Sequence, residues 1–78
     1  MKLYLLVQLD NRNYDTFDSC IVCAKNAEDA KNIHPKGKVY SKHKLDWALS
    51  PDNISCVEIG EANDKQVRGV ILASYNAS

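Results

Sequence analysis

Along residues 2–9, "KLYLLVQL", Leu3, Leu5, Val7 and Leu9 fall on one side of an extended chain, and Tyr4, Leu6 and Gln8 on the other. A period of two in β-favouring side chains predicts a first strand. "DNRNYDT" follows, rich in Asp and Asn, which bond their own backbone and accept turn conformations. It reads as the loop of a hairpin into a second strand, "FDSCIVCA".

Asn26 then stands where a helix cap belongs, with Glu28 and Asp29 suited to the positive end of the helix. Ala27, Ala30 and Ile33 form a narrow apolar stripe for packing on a sheet. Pro35 disfavours helical geometry at His34, so the helix is short, about two turns. "KGKVYSKHKLD" has little patterning and reads as a surface loop. In "WALSPDN", Trp47 and Leu49 are the expected anchors, and residues 50–53 a turn with Pro at a favoured position. "ISCVEIGEA" and "VRGVILASY" read as the third and fourth strands, joined by "NDKQ". In the last, alternation puts Val67, Ile71, Ala73 and Tyr75 on one face and Val70 and Leu72 on the other.

The order β-β-α-loop-β-β, with a hairpin at each end, predicts an α+β domain over residues 1–78. It is expected to have two layers, a four-stranded antiparallel sheet with one short helix across a face. At 78 residues, 45% of them hydrophobic, the chain is near the size where one core just suffices. Ten basic and ten acidic side chains cancel, which argues against both a histone-like nucleic-acid binder and an acidic DNA mimic. No run of 18 or more apolar residues occurs, and the opening strand lacks the cleavage pattern of a signal peptide, so no membrane partner is expected. Three cysteines, an odd number, fit reduced thiols and a cytoplasmic setting.

Cys20 and Cys23 are the nearest thing to a chemical motif. A zinc site needs both thiolates to converge on one ion at about 2.3 Å through a tight turn. Ile21 and Val22 between them are strand formers, and strand positions three apart point to opposite faces. The spacing onward to His34 and His43 misses that of a zinc finger, and a redox pair would belong at a helix N-terminus. Cys20, Cys23 and Cys56 therefore read as small apolar strand residues. His34 is expected to meet the last carbonyls of the helix, and His43 to be solvated. Phosphate-binding glycine motifs and a nucleophile-base pair are both missing, so neither catalysis nor a cofactor is expected.

Two loops remain as candidate contact surfaces. The first carries Asp10, Arg12, Tyr14, Asp15 and Phe17, aromatics interleaved with charge as in protein-binding surfaces; alternatively Phe17 fills the core and Tyr14 rests on the sheet edge. The second carries Lys36, Lys38, Tyr40, Lys42 and Lys44, within a stretch from Lys31 to Lys44 that holds five lysines and no acid. It suits phosphates and bases, an acidic protein face, or nothing beyond solubility. An exposed edge strand is a further means of pairing two copies.

"KLYLLVQ", "YDTFDS", "AEDAKNIHP", "VEIGEA" and "GVILASYNA", in this order, resemble small accessory proteins encoded by bacteriophages. The resemblance covers most of the chain and carries no functional residue across. It implies a non-enzymatic phage or prophage protein that occludes a bacterial host protein in the host cytoplasm. CRISPR-Cas effectors, the targets of anti-CRISPR inhibitors, are among the partners it implies. The alternative is a small nucleic-acid-associated protein using the lysine-rich loop.

Overall fold

A computed structural model describes residues 1–11, 15–37, 40 and 46–76. Strands β1 (Lys2–Gln8) and β2 (Thr16–Ala24) are followed by helix α1 (Ala27–Lys31), a 3-10 turn (Pro51–Asn53), β3 (Ile54–Glu61) and β4 (Gly69–Asn76). The four strands form one sheet in the order β3-β1-β2-β4, every neighbouring pair antiparallel. The α+β architecture and the first hairpin are as the sequence predicts.

The second hairpin is not. β3 and β4 lie at opposite edges of the sheet, separated by β1 and β2. Crossing three strand spacings takes about 14 Å, well within the roughly 23 Å that a seven-residue connection can span. Residues 62–68 make that crossing at the end of the sheet where β1 begins. Ala62 N donates to Met1 O at 3.0 Å, and Gln66 N to Asn63 O at 2.8 Å.

β2 and β3 are both antiparallel to β1, and so run parallel to each other. Parallel strands need a crossover. Residues 25–53 supply it, and α1, Ile33, Tyr40, Trp47 and Ala48 within them lie over one face. That face holds the core: Tyr4, Leu6, Cys20, Val22 and Ile54 from the sheet meet Ala30, Ile33, Trp47 and Ala48 from the crossover. The Tyr4–Leu6–Gln8 side of β1 is thus the buried one, while Leu3, Leu5 and Val7 are only partly covered.

α1 is shorter than the stripe suggests, and Ala27 is exposed. Its N-terminus is capped as predicted: Asn26 Oδ1 accepts from Asp29 N at 2.8 Å. The Asp29 carboxylate in turn accepts from Lys25 N and from Arg68, in a two-pronged contact of 2.8 to 3.1 Å. The crossing connection is thereby tied to the helix. In β4 the expected alternation fails. Val70 and Ala73 both pack against the core, because the register with β2 shifts between Ile21 and Val22. An inserted bulge residue resets which side chains face inward.

Candidate functional site

β1 and β4 end, and β2 and β3 begin, at one end of the sheet, where Gln8 pairs with Ile54 and Thr16 with Asn76. The first loop and the far part of the crossover meet there. Gln8 is 1% exposed yet polar. Its amide donates to Phe17 O at 2.9 Å and to Asn11 O, while its carbonyl accepts from Asn11 N at 2.8 Å. Asn11 Nδ2 donates to Trp47 O at 2.9 Å, and Phe17 N to Asp46 O at 2.7 Å. Buried side-chain amides thus replace the strand ladder where it stops and hold the two loops to each other.

His34 completes this frame. It is 2% exposed and does not meet the helix carbonyls that the sequence reading assigned to it. Its Nδ1 accepts from Lys36 N at 3.0 Å and its Nε2 lies 2.8 Å from Asp46 Oδ1. An accepting Nδ1 leaves the ring proton on Nε2, which donates to the carboxylate. Lys36 Nζ reaches the other Asp46 oxygen at 3.0 Å. Partial burial pushes Asp46 up, but the hydrogen bonds from Lys36 and His34 outweigh it and hold the carboxyl below its ordinary value. The sequence offered His34 no partner because Asp46 lies twelve residues away, beyond an unpatterned loop.

Of the first-loop residues, Asp10 is exposed and accepts from Leu49 N at 3.3 Å and from Asn53 Nδ2. Asp15 is exposed at φ 63°, left-handed geometry that Asp tolerates. Phe17 turns toward the core side, with its ring 6.1 Å from His34 and 4.8 Å from Tyr75. Arg12 and Tyr14 lie outside the described residues. In the lysine-rich loop, Lys36 is exposed and engaged with Asp46. Tyr40 is half-buried against the core, and its hydroxyl donates to Ala48 O at 3.0 Å. Lys38, Lys42 and Lys44 lie outside the described residues, as does His43.

Three apolar side chains at this end were not singled out as contacts from the sequence. Leu9 is 69% exposed, Leu49 51% and Tyr75 47%. Leu49 was expected to anchor the turn; Trp47 alone does so, fully buried. Leu9 and Leu49 flank Asp10, and Tyr75 sits beside Asp15; partial burial, and then the charge of Asp15, raise the phenol. The alternation that places Leu9 and Tyr75 in strands gives no sign that each lies where its strand runs out.

The cysteines are free thiols. Cys20 lies in the core, where burial pushes it up to about 12. Cys23 is on the opposite face, across from Leu3 and Gly69, as strand geometry requires. Cys56 is also raised by burial, and its Sγ lies 3.9 Å from Ala27 O. Among the described residues no group of three His, Cys, Asp or Glu side chains gathers to hold a metal ion, and no helix is long and apolar enough to cross a membrane. Compared with family models, with curated proteins and with solved structures, the chain matches none.

Proposed function

We propose that this protein is a non-catalytic binding module that occludes a surface of another protein with the loop end of its sheet. One observation carries the reading: at one end of the sheet Leu9 and Leu49 stand exposed beside Asp10, and Tyr75 stands exposed beside Asp15 and Lys36, on a frame of buried hydrogen bonds. Apolar side chains set among polar ones on a preorganised support are what a protein contact requires. His34 and Asp46, the pair with acid-base character, are spent on holding that support together. A bacterial host protein as target, with a CRISPR-Cas effector among the choices, rests on the sequence resemblance to phage accessory proteins. Lys36 and Tyr40, the described members of the lysine-rich loop, are engaged within the protein, so the nucleic-acid alternative is not carried further.

The test is an affinity pull-down from bacterial lysate, with and without nuclease, using the wild type and a Leu49→Asp, Tyr75→Ala variant of unchanged circular dichroism. The expected result is a partner that survives nuclease and is lost from the variant. A partner released by nuclease would transfer the function to nucleic acid. A partner retained by the variant would move the contact away from the loop end.

A further inference from the structure

The face of the sheet opposite α1 carries a second apolar surface. Register aligns Val57, Leu5, Ile21 and Leu72 in one row across all four strands. Val57 and Leu72, at the two edges, are 51% and 65% exposed. Neither this row nor the paired row on either side of it contains a charged residue. Scattered exposed leucines need no explanation, but a continuous uncharged face does.

We propose that this face joins two copies of the chain, sheet against sheet, independently of what the loop end binds. The patch is self-complementary. Between β2 and β4 lies a shallow depression of about 250 Å³, bordered by Leu5, Ser19, Ile21, Leu72 and Ser74, where the two serines leave room. Val57 stands exposed on β3, at the far edge. A two-fold axis along the strands lays β3 of each copy over β4 of the other, so each Val57 meets the other copy's depression. Such an isologous contact closes on itself as a dimer.

Charge and size favour the same occupant. Identical faces without charge do not repel, and each copy has zero formal net charge. Four strands about 4.8 Å apart, seven residues long at about 3.3 Å each, project to about 440 Å². Side-chain relief raises this toward the roughly 800 Å² per partner of a standard interface. The cluster around Trp47 lies on the other face, and packing two such sheets at about −30° would build a second core on this one.

The test is sedimentation equilibrium of the purified chain up to about 100 µM, above the micromolar dissociation constants of modest interfaces. Twice the 8.7 kDa chain mass is expected, with Leu72→Lys and Val57→Lys each giving monomers. Because a lysine could perturb folding, the wild type is also unfolded in urea at two concentrations tenfold apart; a dimer's midpoint rises with concentration. A midpoint independent of concentration, or a monomer at about 100 µM, would overturn the proposal. So would a dimer that both lysine variants retain, with slowed exchange of the outward amides of β3 or β4, which marks edge pairing. A monomer whose Leu72→Lys form loses a lysate partner would give the face to a foreign protein, and also overturn it.

Discussion

A single imidazole shows how much of this molecule rests on individual hydrogen bonds. His34 has both ring nitrogens occupied, one accepting from Lys36 N and one donating to Asp46. The consequence for pH follows from Asp46, whose folded pKa is depressed. A depressed carboxylate adds stability above its unfolded value of about 4, and that stability is lost as pH falls through the folded value. Urea unfolding of the wild type should therefore weaken below about pH 4. Asp46→Asn should lose about 1–3 kcal/mol near neutrality and flatten that acid limb. An acid limb identical in wild type and variant would remove Asp46 from the cause. At this scale the sequence was partly legible. The opposed cysteines followed from strand alternation alone. The partner of His34 did not, because a contact between residues twelve apart with no shared pattern leaves no periodic trace.

Among the elements, α1 is the least self-sufficient. Five residues cannot sustain a helix on propensity, so its caps and docking hold it. Asn26→Ala should cost about 1 kcal/mol. Arg68→Ala, a largely exposed pair with Asp29, should cost less than about 1 kcal/mol even with its bidentate geometry. Urea midpoints at constant slope measure both, and the reverse order would mean that Arg68, not the cap, fastens the helix. The cap was readable because Asn followed by acids is a local signal. The β4 bulge was not. A shift of register comes from fitting one strand to its neighbour, and nothing within "VRGVILASY" announces it.

For the whole molecule, strand number and layer class followed from pattern, whereas strand order did not. The turn-like "NDKQ" suggests a hairpin, yet local chemistry cannot tell a turn between partners from one that crosses the sheet end. Nor did the pattern show which side of β1 would be covered. Leu3, Leu5 and Val7 form the more apolar side, and the crossover covers the other. The choice belongs to where α1, Ile33, Trp47 and Ala48 pack.

The position of β1 and β2 at the centre of the sheet also sets an order of assembly. Among the described strands they are the only neighbours joined by a short connection in sequence; β3 and β4 each dock from a distance onto an edge that the hairpin already provides. Loop-closure entropy makes the local pair the natural nucleus. Val22→Ala should therefore slow folding, and Val70→Ala should chiefly speed unfolding, as chevron plots would show. Equal effects on both folding rates would mean that β4 joins the nucleus. With β4 outside it, the outer strand can detach from the native protein while the hairpin stays paired. Its register partner along β2 then becomes an open template, onto which the same strand of another chain can exchange.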